Sequence, residues 1–88
     1  MPSKDGVMIM FVAMSDRSEA LRLFNDLKAR AIDASVISTP KGVSTACGLS
    51  VRFGVTDLAR VRSVLTSRPR RGVIGTFKSV QGVVSRLF

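Results

Sequence analysis

Two stretches of helical apolar spacing, each set between short runs of β-type residues, constrain this chain more than any other feature. Val7 to Met14 is continuously apolar, as suits a central strand covered on at least one face, and the expected strand spans 6–13. Ala20, Leu21, Phe24, Leu27 and Ala31 then recur at helical spacing, with Arg22, Asn25, Asp26 and Arg30 between them. That pattern predicts an amphipathic helix over about residues 17–31. Ser15 or Asp16 is its expected cap, and Glu19 favours the positive end of the helix.

Ala34 to Thr39 is a short β-rich run closed by Pro40-Lys41-Gly42, since proline and glycine punctuate strands. Residues 40–48 read as a loop of small residues. Leu49-Ser50-Val51-Arg52-Phe53 alternates strictly, with Leu49, Val51 and Phe53 to one side and Ser50 and Arg52 to the other. Gly54 breaks that strand. Thr56 or Asp57 caps a second helix with the stripe Leu58, Val61, Val64 and Leu65, and Pro69 forces its end. Val73 to Lys78 is the last expected strand. The order β-α-β-β-α-β predicts an α+β fold of ferredoxin-like type, a four-stranded antiparallel sheet with two helices on one face.

The expected domain is 1–78, with residues 1–5 as a loose leader. In 79–88, Val80, Val83, Val84, Leu87 and Phe88 fall at i, i+3, i+4, i+7 and i+8, which is one face of a helix. This stretch reads as a C-terminal amphipathic extension, packed on its own domain or docking a partner or a second copy in a homodimer. No apolar run approaches the ~20 residues of a membrane span. The longest lacks the basic lead-in of a signal peptide, so the chain reads as cytoplasmic.

There is no histidine and one cysteine. Ser-His-Asp and Cys-His nucleophile pairs, histidine metal sites, an internal disulfide and a Cys-x-x-Cys pair are therefore excluded. Neither a metal nor a cofactor is expected. Glu19 and Asp16 are three residues apart at a helix start, where acids are structural. Charge is uneven. Bases and acids cancel over residues 1–40, and the net +8 belongs wholly to residues 41–88. Such a field attracts acidic proteins, nucleic acid or anionic surfaces. Arg68, Arg70 and Arg71 form a basic turn that suits phosphate, RNA or an acidic partner protein. Ferredoxin-like sheets bind RNA mostly through sheet aromatics, and tyrosine and tryptophan are absent, so RNA ranks last.

Cys47 is the one chemical handle. It lies one residue before a strand, among small residues and beside Gly48. Backbone N–H groups in such a loop can form an anion-binding nest, and Lys41 and Arg52 are the nearest bases in sequence. A thiolate so supported is a nucleophile for sulfur transfer, disulfide exchange or metal ligation. With no histidine beside it, a lone thiol can carry a persulfide, a selenium atom or a glutathione cap.

Ser44-Thr45-Ala46-Cys47-Gly48 followed by Leu49-Ser50-Val51-Arg52-Phe53, with Pro40 upstream, resembles the signature of DUF3343, a family of small bacterial proteins described as selenium/sulfur carrier-like. The likeness covers about residues 7–78, and the cysteine-glycine run with its strand is the specific part. The resemblance implies that Cys47 is the carrier atom and Gly48 its backbone support, with Pro40, Ser44, Thr45 and Arg52 shaping the loop. It implies a shuttle rather than a free-standing enzyme, taking sulfur or selenium from a donor and handing it to an acceptor, while the basic half and tail suit an acidic partner protein in either role. The alternative is an assembly module in which Cys47 is structural and Arg68, Arg70, Arg71, Val80, Val83, Val84, Leu87 and Phe88 dock the partner.

Overall fold

The computed structural model describes residues 8–45, 47–67 and 70–88. The elements run β1 (Met8–Met14), α1 (Arg17–Ala29), β2 (Ala34–Ser38), β3 (Leu49–Phe53), a 3-10 turn (Val55–Asp57), α2 (Leu58–Thr66), β4 (Val73–Val80) and β5 (Val83–Arg86). One five-stranded sheet has the order β2-β3-β1-β4-β5, every neighbouring pair antiparallel. The leader at 1–5, the strand start at 6–7 and the helix stop at Pro69 lie outside the described residues.

Both helices pack on one face of this sheet. Met10, Val12 and Met14 of β1, Val51 and Phe53 of β3 and Ala34 of β2 meet Ala20, Leu23 and Leu27 of α1, Ile32, and Val61 and Val64 of α2 in a single buried cluster. Asp16 is the cap of α1, its Oδ1 accepting the Glu19 N–H at 3.1 Å. The α1 stripe differs from the one expected. Leu23 is buried where Leu21 was expected, and Leu21 is exposed. Ala31 lies past the helix end at φ +60°, with the Ile32 N–H bonded to the Leu27 carbonyl and the Ala31 N–H to that of Lys28, the paired bonds of a Schellman ending. Asp57 precedes α2 without making a side-chain cap bond. Its carboxylate takes the Arg60 guanidinium instead, at 3.2 Å.

The sheet has five strands, not four, and the C-terminal residues are a strand rather than a helical stripe. β4 runs on to Val80, Gln81 and Gly82 turn the chain, and β5 returns with Val80 opposite Val83 and Phe77 opposite Arg86. Both turn residues have positive φ, +52° at Gln81 and +82° at Gly82, the geometry of a two-residue hairpin whose twist matches its strands. Alternation then sends the supposed stripe to opposite faces. Leu87 packs against the helical core, Val84 shares the other face with Ser79, and Val83 is 67% exposed. Beyond β5 the Leu87 and Phe88 N–H groups both reach the Thr76 carbonyl, a β-bulge.

The face opposite the helices is covered too. Phe11, Ala13 and Ser50 on it are fully buried, and Phe11 stacks on Phe77 with ring centroids 5.7 Å apart. The cover is the loop 39–48. Thr39 Oγ1 is 2.8 Å from Ser50 Oγ, and a Cβ built on Gly42 would lie 3.5 Å from Val84 Cγ2. The loop thus leaves edge strand β2, reaches across to the opposite edge strand β5 and returns to β3.

A buried hydroxyl and a half-buried carboxylate set tests. The Thr76 hydroxyl, opposite Val12 in the register, is buried with no hydrogen-bond partner among the described residues. Thr76→Val is expected to raise stability by about 1 kcal/mol, read as a higher urea midpoint with unchanged slope. Asp26 receives the Arg30 Nε at 3.0 Å and the guanidinium of Arg70. The Arg30 bond foremost, with Arg70 adding to it and burial opposing, holds its carboxyl below the ordinary carboxylate range. A depressed folded value contributes stability above the unfolded pKa, and that contribution is lost as pH falls through the folded value. Asp26→Asn is therefore expected to cost about 1–2 kcal/mol near pH 7, with the difference from the native chain shrinking below about pH 4. Urea titrations at several pH values check this, and a pH-independent difference would contradict it.

Candidate functional site

The loop is held by a chain of small hydroxyls. The Thr39 N–H donates to the Gly48 carbonyl at 2.8 Å and closes the neck. Thr39 Oγ1 contacts Ser50 Oγ and, at 3.4 Å, Thr45 Oγ1. Thr45 Oγ1 in turn accepts the Gly48 N–H at 2.7 Å. Gly42 and Gly48 sit at φ +100° and +68°, where a side chain is strained. Short polar side chains and glycines at these positions are what let the loop bend twice while lying on the sheet. Ser44 and Lys41 point to the exposed side of it.

Cys47 is half-buried and its thiol is a free one. Its Sγ donates to the Met14 carbonyl at 3.2 Å and lies 3.9 Å from the Leu49 carbonyl. Those acceptors have a structural reason. The β1–β3 ladder ends at Ala13 opposite Ser50, so Met14 and Leu49 would be its next pair. The β1–β4 register also shifts between Ala13 and Met14. The sulfur stands where the ladder stops and takes up carbonyls that would otherwise be left over. Both partners are acceptors, and the Gly48 N–H, expected to support the sulfur, is spent on Thr45. Ala46 lies outside the described residues.

The other residues singled out from sequence go to several places. Arg52 Nε donates to Ser35 Oγ at 2.9 Å, and its guanidinium is 3.8 Å from Asp33, three residues along β3 from Leu49. Arg70 is inside the structure, its side chain 14% exposed and paired with Asp26, and its Nε is buried without a partner among the described residues. Arg71 is exposed, and Arg68 lies outside the described residues. Val80 closes the hairpin opposite Val83, Val84 meets Gly42, and Leu87 joins the core. The Arg62 guanidinium lies 5.3 Å from the Phe88 ring centroid.

Two participants were missed. Met14 acts through its backbone oxygen, which side-chain identity does not advertise. Arg86 lies over the Phe77 ring at 5.9 Å and donates to the Ile74 carbonyl at 3.4 Å. A Cβ on Gly75 would come within 3.2 Å of its guanidinium carbon. Gly75 faces Ala13, one residue from Met14, so Arg86 brings positive charge to the end of the sheet where the sulfur sits. Alternation along β5 places it there once the Gln81-Gly82 turn is recognised. Among the described residues, no three of histidine, cysteine, aspartate and glutamate come together as a metal-binding group, and no helix is long and apolar enough to cross a membrane.

A family model described as "Putative Se/S carrier protein-like" matches residues 10–69. Neither the curated proteins nor the solved structures gave a match. The matched stretch starts in β1, contains the Cys47 loop and β3, and ends just after α2. It covers well over half of the chain, and the chain belongs to the Se/S carrier protein-like family, DUF3343.

Proposed function

We propose that this chain is a sulfur or selenium carrier that holds the atom on Cys47 as a persulfide-type adduct. The observation that carries the reading is the position of the thiol, half-buried at the open end of the β1–β3 ladder in a loop closed by the Thr39–Gly48 backbone bond and by the Gly48 N–H on the Thr45 hydroxyl. The Cys47 thiolate attacks the terminal sulfur of a donor's persulfide. A new S–S bond forms at Cys47, the donor's S–S bond breaks, and the donor leaves as a thiolate. The proton the thiol gives up passes to solvent or to the leaving thiolate. Since the resting sulfur faces carbonyls, transfer requires it to leave Met14. Arg86, which lies over Phe77 and Gly75 on the same sheet, is a further candidate cation to meet it beside Lys41, whereas Arg52 is engaged by Ser35 and Asp33.

Family membership supports the carrier role and the engagement of protein partners. The strand order β2-β3-β1-β4 with both helices on one face supports a ferredoxin-like unit extended by one strand. A lone thiol stays reduced in the cytoplasm, where this reading places the chain. The loop argues against RNA readout, because it covers the face on which ferredoxin-like RNA binders stack bases, and Phe11 lies fully buried there.

Incubation with a cysteine desulfurase and cysteine should add one sulfur atom, about 32 Da by intact mass. Cys47→Ala should show no gain, and dithiothreitol should reverse it. An equal gain in the alanine variant, or none in the native chain, removes the proposal.

A further inference from the structure

The two edges of the sheet are chemically different. β2 begins beside Asp33, which sits 3.8 Å from Arg52. β5 belongs to a stretch of chain without an acid, since no aspartate or glutamate occurs from Leu58 to Phe88. Three cations flank it. Lys78 lies directly across from Ser85, Arg86 is part of β5, and Arg62 covers Phe88 just beyond it.

The hairpin register says which backbone groups β5 offers. In a two-residue hairpin the closing pair, here Val80 and Val83, is hydrogen-bonded, and the bonding alternates from there. Val83 and Ser85 therefore bond inward to β4, while the N–H and C=O of Val84 and Arg86 face outward. The bulge at Leu87 and Phe88 ends the available edge. Val83, the most exposed large apolar side chain among the described residues, lies beside these groups. Val84 also touches Gly42, in the same loop that holds Cys47.

From these features we infer that β5 is the docking edge for an acidic partner, which adds an extended strand with carboxylates across Val84 and Arg86. Main-chain bonds give the register, and Lys78, Arg86 and Arg62 select against basic strands. A second copy is disfavoured as occupant, because two β5 edges would bring Arg86 and Lys78 toward their own duplicates. The inference deepens the carrier reading and rests on it for the partner's role as sulfur donor or acceptor.

The test is a titration of isotopically labelled full-length protein with a capped peptide of alternating valine and glutamate, about six residues long to overhang the edge. A valine-lysine peptide serves as control. The acidic peptide is expected to slow amide exchange at Val84 and Arg86, with an affinity falling about tenfold between about 50 and 200 mM salt. Val84→Pro, which removes one outward N–H and no ladder bond, and Arg86→Glu should each weaken binding about tenfold. Absence of binding, or perturbation centred away from β5, overturns the inference. So does equal binding of the lysine peptide. Protection of the same amides on raising the protein concentration alone makes a second copy the occupant, and protection by a single-stranded oligonucleotide in preference to the peptide makes RNA the occupant; either overturns the acidic-strand assignment. The titration is repeated with Cys47→Ser protein, so that docking and sulfur acceptance succeed or fail separately.

Discussion

Strand β1 has two neighbours and almost no wet face, and the rest of the molecule is arranged to keep it so. β3 and β4 pair with it on either side, and Phe11 through Met14 are completely buried. A strand paired at both edges and buried on both faces needs cover twice. The two helices supply the first cover through Val12 and Met14. The second face, with Phe11 and Ala13, has no helix over it, and burying it is the work of the loop 39–48. The conformation of the loop follows from that duty. It must lie flat, which the glycines at 42 and 48 permit, and it must be tied to the sheet, which the hydroxyls of Thr39, Thr45 and Ser50 do.

Cys47 inherits its position from this arrangement. Closing the loop onto β3 brings residue 47 to the point where β1 and β3 part, and the sulfur meets the carbonyls that the broken ladder leaves. Bonds of a thiol to carbonyls are weak, so the same placement that completes the sheet end can be undone locally. The sulfur can leave Met14 without breaking a ladder bond, since the ladder stops at Ala13 and Ser50. On the carrier reading, a sulfur held by packing and soft bonds to two carbonyls is compatible with a resting state that shields it and a working state that presents it.

Much of this was legible in the residues. The apolar run in β1, the strict alternation of β3 and the Asp16 cap each rest on local chemistry, and each stands in the structure. The C-terminal residues defeated the same reasoning because Val80, Val83, Val84, Leu87 and Phe88 satisfy a helical period as well as a strand period interrupted by a turn. The turn itself was concealed, since glutamine is seldom found at the positive φ that Gln81 adopts. Leu21 and Leu23 flank the same stripe, and only the packing of α1 on the sheet chooses between them. Arg52 and Arg70 were judged by sequence distance to Cys47 or by their basic neighbours, whereas their partners, Asp33 and Asp26, lie 19 and 44 residues away in the chain. No local pattern contains that information. The Met14 carbonyl was invisible for a further reason, as every residue has a carbonyl and only the register singles this one out.

The fate of Arg70 also changes what the net charge means. A basic turn read as a docking patch gives up one of its arginines to Asp26, and Asp57 and Asp33 engage Arg60 and Arg52. Asp26, Asp33 and Asp57 are thus each met by an arginine. Among the described residues, Lys78 of β4, Arg86 of β5 and Arg62 of α2 are cations outside these ion pairs. The loop joins the β5 edge to the sulfur, with Gly42 against Val84 at one end and Cys47 against Met14 at the other. A strand added at β5 would lie beside Val84, whose side chain faces that loop at Gly42. On the carrier reading proposed above, the docking edge and the thiol are thus joined through this one loop.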